Sequence, residues 1–308
     1  MTVEIDDPRL APLIDAAAQL RRLWTGGEWT EGPVYVPAEE CVYWSDIPND
    51  RVLRWSETDG AAVALHPAGY PNGHTLDHEG RIVRCEHGGR RVSRVEPDGS
   101  LTTVADRYAG GRLNSPNDVV VKSDGTIWFT DPPYGIVSDH EGHKADSEQA
   151  GCFVFRYDPG DDSLAVVSDA LQDPNGLAFS PDETILYVSD TSRDRIEGGN
   201  HHLFAFDVTG GTRLENLRTF AVCDPGLFDG FRVDVEGNVW TSEYESVTIY
   251  APDGGRLGRI PVPEVVSNCT FGGPSGTTLF ITATASLYAL TVATTGATFV
   301  PPGAGSPR

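Results

Sequence analysis

The chain has 308 residues, 39% of them hydrophobic, with 34 glycines and 22 prolines, so it reads as a globular sequence dense in turns and poor in long helices. Its formal net charge of −22 repels nucleic-acid phosphates and anionic lipid heads, which argues against both as partners. No apolar run is long enough to span a membrane, and the acidic start MTVEIDDPRL lacks the apolar core of a secretory signal.

The five cysteines, Cys41, Cys85, Cys152, Cys223 and Cys269, are scattered without a C-x-x-C pair. Buried free thiols in strands, in a reduced cytoplasmic protein, are the expectation. After the acidic start comes APLIDAAAQLRRLW, whose early alanines suit one helical turn and whose AQLRRLW suits an outer strand. From Glu31 onward one pattern recurs. A short polar residue, often followed by glycine, opens an alternating apolar strand; a D-G or P-D-E turn follows, and a second strand ends in Ser/Thr-Asp or similar.

The copies read EGPVYVPAEECVYWSD from Glu31, NGHTLDHEGRIVRCEH from Asn72 and NDVVVKSDGTIWFTD from Asn117. They continue as NGLAFSPDETILYVSD from Asn175, DGFRVDVEGNVWTSEY from Asp229 and NCTFGGPSGTTLFITA from Asn268. Each is followed by further strand material such as RVLRWS, CFVFRYDP or SLYALTV. Hairpins of short strands at this period are the mark of propeller blades. The expected fold is therefore all-β: a six-bladed β-propeller forming one domain over residues 1–308, its ring closed by strands from both termini so that no sheet edge stays free. The longest insertion, residues 132–151, is too polar for core and reads as a lid or a surface loop.

The innermost strand of a blade lines the central channel, so its first residue lies near the axis on one face. Those residues are Glu31, Asn72, Asn117, Asn175, Asp229 and Asn268, all oxygen-bearing. Asn-Gly and Asp-Gly also make ordinary turns, but glutamate has no such preference. Two carboxylates and several carboxamides around one axis call for a cation. Glu31 and Asp229 would cancel its charge, and Asn117 and Asn175 would add amide oxygens. All-oxygen coordination favours Ca²⁺, with Mg²⁺, Mn²⁺, Zn²⁺ or Fe²⁺ as alternatives. The second strand of each repeat returns to the same face, which makes Asp131 and Asp190 candidates to orient ligands from behind.

With WTEGPVY around Glu31, RLNSPNDVVVKSDGTIWFTDPPYGI from Arg112, DPNGLAFSPDETILYVSDT from Asp173 and VSNCTFGGPSGTTLFIT from Val266, the chain resembles the senescence marker protein/gluconolactonase/luciferin-regenerating enzyme (SMP-30/gluconolactonase/LRE) family from about Thr25 to Ala285. The resemblance implies a six-bladed propeller with one axial divalent metal held by Glu31, Asn117, Asn175 and Asp229. It further implies that Arg112 and Asn114 touch substrate oxygens and that Asp229 serves as general base besides being a ligand. Thr270 stands where related phosphotriesterase propellers carry a metal-site histidine, a departure from that branch.

The function so implied is metal-dependent hydrolysis of a lactone, a sugar lactone such as an aldonolactone first. The metal would polarise the carbonyl and activate water, and His74 and Tyr134 would join Arg112 and Asn114 in orienting hydroxyls. The partner expected is a small lactone or ester, in a monomer or small homo-oligomer. The alternatives are a phosphotriesterase or non-sugar lactonase on the same fold, and a non-catalytic calcium-binding propeller.

Overall fold

The computed structural model describes residues 3–15 and 17–298. The repeats form six antiparallel sheets arranged as a β-propeller; in blades 1 to 4 each sheet is four consecutive strands from axis to rim, and strands from the N-terminal segment join blades 5 and 6. Blade 1 comprises Thr30–Val36, Cys41–Asp46, Arg51–Ser56 and Gly60–Leu65. The inner strands of blades 2 to 6 are Pro71–Leu76, Val119–Val121, Pro174–Phe179, Phe231–Val233 and Val266–Gly272. The N-terminal strand Arg21–Thr25 pairs with Ser286–Thr291 and supplies the outer strand of blade 6. A second N-terminal strand, Glu4–Ile5, adds a fifth strand to blade 5 by pairing with Arg256–Pro261.

The helical turn expected on the early alanines takes in Ala11 but not those that follow; Ala16 lies outside the described residues. A 3₁₀ helix spans Pro8–Leu13, opened by the Asp7 side chain accepting from the Arg9 N–H, whereas Ala17 and Ala18 are not helical. Proline at the first turn loses no helical hydrogen bond. Leu10, fully buried against blades 5 and 6, then decides the position. Of the five thiols, Cys41, Cys85, Cys223 and Cys269 are buried and Cys152 is half-buried, all of them free. Among the described residues, no helix is long and apolar enough to cross a membrane.

The inner strands are covered on both faces by neighbouring blades, so TEGPVYV, PNGLAF and VSNCTFG are buried at every position. Large aromatics fill the wedges between blades. Trp128 meets Phe179 of the next blade edge-on at 5.3 Å, and Trp240 meets Phe271 at 5.5 Å. Both tryptophans are fully buried and place their indole N–H on Thr126 Oγ1 and Asp234 Oδ2. Truncating such a side chain to alanine costs about 3–5 kcal/mol.

A repeated hydrogen bond stitches each blade to the next at the top of the channel. Ser45 Oγ donates to Asn72 O at 2.8 Å, the Gly73 N–H to Asn117 O at 2.8 Å and Thr130 Oγ1 to Asn175 O at 2.6 Å. Ser189 Oγ donates to Asp229 O at 2.8 Å, the Gly230 N–H to Ser267 O at 2.7 Å and Ser267 Oγ to Thr30 O at 2.5 Å, the last joining blade 6 to blade 1. The carbonyls that accept belong to the axial residues or their immediate predecessors. The backbone of each axial residue is thereby anchored to the blade before it.

Candidate functional site

The axial side chains leave the sheet because the ladder breaks beneath them. Register shifts fall between Glu31 and Val34, Pro71 and His74, Pro174 and Leu177, and Val266 and Asn268. In blades 3 and 5 pairing begins only at Val119 and Phe231, two residues past Asn117 and Asp229. A bulge or an unpaired start frees a side chain to point along the channel mouth. The glycine that often follows is not there for a turn. A Cβ on Gly176 would lie 2.4 Å from Asp229 O, and one on Gly230 would lie 2.0 Å from the Asn268 side chain. Close approach of the next blade's axial residue excludes any larger side chain.

Carboxylates at the ends of the second strands brace the segments that lead into this ring. Asp131 Oδ2 accepts the Asn114 N–H at 2.8 Å, three residues before Asn117. Asp190 accepts the Gln172 N–H at 2.9 Å and the Asp173 N–H at 3.2 Å, just before Asn175. Asp46 does the same for the Glu28 N–H at 3.0 Å, ahead of Glu31. Asp131 and Asp190 are both completely buried, and neither lines the cavity.

A cavity of about 430 Å³ opens above the ring. Glu31, Asn72, Asn117, Asn175 and Asp229 line it. Trp29, Ile47, Leu227, Val265 and Val266 add apolar surface, and Tyr134, Glu141, Thr191, Asp194 and Tyr244 add polar groups. Such a volume, with apolar walls and a few convergent polar groups, suits a small-molecule site. Asn268 lies beside it, donating from Nδ2 to Glu31 Oε2 at 3.0 Å. Asn175 Nδ2 donates to Thr191 Oγ1 at 3.2 Å, and Thr191 also meets the Tyr134 hydroxyl at 2.5 Å.

The electrostatics are those of crowded anions. Burial pushes Glu31 up to about 8; Asp118 below it adds to the rise, while Asn268, the Gly32 N–H and Arg232 oppose it. Burial also raises Asp229 well above the usual carboxylate range, reinforced by Glu31, Glu141 and Asp118 and opposed by a hydrogen bond from Asn175. Arg232 reaches across the channel from blade 5 and places Nη1 3.4 Å from Asp118 Oδ2. With Asp118 so paired, Glu31 and Asp229 remain as two carboxyl groups facing one space, each of which resists ionising beside the other. Two carboxylates with carboxamide oxygens beside them fit a hard divalent cation. Among the described residues no three His, Cys, Asp or Glu side chains gather as a metal cluster, in keeping with a donor set half made of amides.

Of the other expected substrate contacts, Tyr134 lines the cavity, whereas Arg112, Asn114 and His74 do not. Arg112 points its Nη2 at Gly89 O at 2.9 Å. Asn114 spends its amide within the protein: Nδ2 donates to Asp131 O and Gly151 O, and Oδ1 accepts from Ser147 Oγ. His74 is buried two residues along the strand from Asn72, its Nδ1 2.8 Å from Gly32 O. Burial depresses its ring to about 4. The insertion at residues 132–151 does border the cavity. Its one-turn helix Tyr134–Val137 rests on Ser115, and the loop returns to bring Glu141 to the cavity and His140 within 2.8 Å of Glu28, in the segment leading into blade 1. Glu141, Thr191 and Asp194 are cavity residues that the repeat pattern did not reveal. Thr191, directly after the strand end Asp190, is the one whose position the pattern could have indicated.

Fold and site together define a six-bladed propeller with an oxygen-lined pocket at one mouth of its channel. Residues 29–285 match the family described as the SMP-30/gluconolactonase/LRE-like region, and the chain belongs to that family. It is 34% identical to a gluconolactonase of Zymomonas mobilis, over 94% of this chain and 85% of that one. It is 31% identical to a pentonolactonase of Haloferax volcanii, over 82% and 80%. The solved structure of a Xanthomonas campestris gluconolactonase superposes with a TM-score of 0.89 at 40% identity, covering 95% of both chains.

Proposed function

We propose that this protein is a hydrolase that opens sugar lactones at the axial pocket. The observation that carries the reading is the pair of carboxylates, Glu31 and Asp229, held with Asn117 and Asn175 at one small cavity in a chain similar to gluconolactonases and a pentonolactonase. In this reading Glu31, Asn117, Asn175 and Asp229 hold one divalent cation, Ca²⁺ first. When bound there, the ion supplies a Lewis acid for the lactone carbonyl and offsets the mutual repulsion of the two carboxylates.

The chain's own groups do the rest. Asp229 takes a proton from the attacking water, a task suited to a carboxylate whose environment raises its proton affinity. Asn268 and the Gly32 N–H fix Glu31 Oε2, and Asn175 is steadied by Thr191, so the donor set is organised before substrate arrives. Trp29, Ile47 and Leu227 provide apolar surface, and Tyr134 and Glu141 offer polar groups to ring hydroxyls. The test is a pH-stat screen of aldonolactones, plain lactones and phosphotriesters, with and without chelator. Chelator-sensitive opening of aldonolactones is expected; phosphotriester turnover without lactone turnover would overturn the reading.

A further inference from the structure

Among the described axial residues, Asn72 is the one with a fully buried side-chain acceptor that has no hydrogen-bond partner. Its Nδ2 lies 3.1 Å from His87 Nε2, while its buried Oδ1 accepts from no described residue; the residue itself lines the cavity. The partner on the far side of His87 settles which way the amide faces. His87 Nδ1 lies 3.2 Å from the backbone carbonyl of Glu141 in the insertion, and a carbonyl only accepts, so Nδ1 carries the proton. Burial depresses the His87 ring to about 4, so it is neutral and Nε2 is an acceptor. Asn72 must then turn its NH₂ to His87, which leaves its Oδ1 without a partner in a residue that lines the cavity. Flipping the amide would set two acceptors against each other.

Gly135 explains why the insertion sits so close: a Cβ there would lie 2.4 Å from His87 Cβ. The amide of Asn72 is therefore anchored on the side of the ring beneath the insertion, away from the Asn175–Asp229 side. We infer that Asn72 Oδ1 accepts a hydrogen bond from a ring hydroxyl of a polyhydroxylated substrate, and that His87, held by the Glu141 carbonyl, is the residue that positions it. This inference rests on the lactonase reading and deepens it. Asn72 selects hydroxylated lactones over plain ones, and the insertion controls that selection through His87.

The test compares Asn72→Leu with wild type on a polyhydroxylated δ-lactone and on the unsubstituted δ-lactone. Calorimetric titrations of the matching polyhydroxylated lactam and of Ca²⁺ accompany the kinetics. The ratio of kcat/KM for the hydroxylated over the plain lactone should fall about tenfold, with lactam binding weakened to match and Ca²⁺ affinity held within about threefold. Asn72→Ser carries the same comparison should the leucine variant not fold. A Ca²⁺ affinity that collapses while the ratio holds would make Asn72 a cation ligand and overturn the inference, as would no change in any readout.

His87→Phe should lower the ratio similarly, and the double variant should fall no further than Asn72→Leu alone; additive losses would refute positioning through His87. Nitrogen-15 NMR of the His87 ring should show the Nδ1–H tautomer, and the Nε2–H tautomer would overturn the chain of contacts. A wild type that binds the lactam yet opens neither lactone would defeat the hydrolytic reading, while lactam binding and the tautomer still decide the role of Asn72.

Discussion

Cation binding at the axial pocket should be coupled to proton release over a pH range where ordinary carboxylates are silent. Burial holds Glu31 near 8 in the cation-free protein, against an ordinary value of 4.5. A cation needs the carboxylate, so below pH 8 each bound ion must displace a proton from this side chain. Apparent affinity then falls by up to about tenfold per pH unit, or roughly 50-fold between pH 8 and pH 6. Asp229, also raised, steepens the slope.

The sign for stability follows the same group. The folded value lies above the unfolded one, so the contribution of Glu31 is fully present below about pH 4.5 and is lost as pH rises towards about 8. At about 1.36 kcal/mol per pH unit the loss is on the order of 5 kcal/mol, and a bound cation restores it. Calorimetric titration of Ca²⁺ at pH 6, 7 and 8, in two buffers of different ionisation enthalpy, reads both affinity and protons released. A dissociation constant flat over this range with no proton release would refute the reasoning.

Arg232→Met should strand Asp118 as an unpaired buried carboxylate beneath the pocket. Denaturant unfolding should show a loss of about 3–5 kcal/mol, most of it recovered when Asp118→Asn is added. Replacing residues 137–148 with a short Gly-Ser turn should change relative rates among lactones while leaving Ca²⁺ affinity nearly unchanged, since Glu141 belongs to the insertion and the proposed cation ligands do not. Identical rate profiles would make the insertion surface ornament. Chelated protein should melt lower than Ca²⁺-loaded protein, with a gap wider at pH 8 than at pH 5; a gap that narrows with pH would contradict the charge argument.

The ring was legible because one register repeats six times. Glu31, Asn72, Asn117, Asn175, Asp229 and Asn268 open the same strand in every copy, and a residue that starts an axial strand has few places to go. The glycine after four of them resembled turn chemistry; its reason, contact with the next blade, exists only between repeats that are distant in sequence. Loops carry no such period. Glu141 and Asp194 sit in segments unique to blades 3 and 4, so nothing marked them as cavity residues. Asp131 and Asp190 were recognisable as strand ends facing the site, but that they hold backbone N–H groups of the preceding segment depends on three-dimensional contacts. The strand Glu4–Ile5 is too short to show alternation, and only its pairing with blade 5 defines it.

The most direct measurement is pH-stat opening of an aldonolactone by wild type and by Asp229→Asn in saturating Ca²⁺, with melting curves for both. Asparagine keeps the size and one oxygen of the side chain but cannot take a proton from water. A fall in kcat of about 10²–10⁴-fold with the fold retained is the predicted result. Wild-type turnover by a folded, Ca²⁺-saturated Asp229→Asn protein would contradict the account.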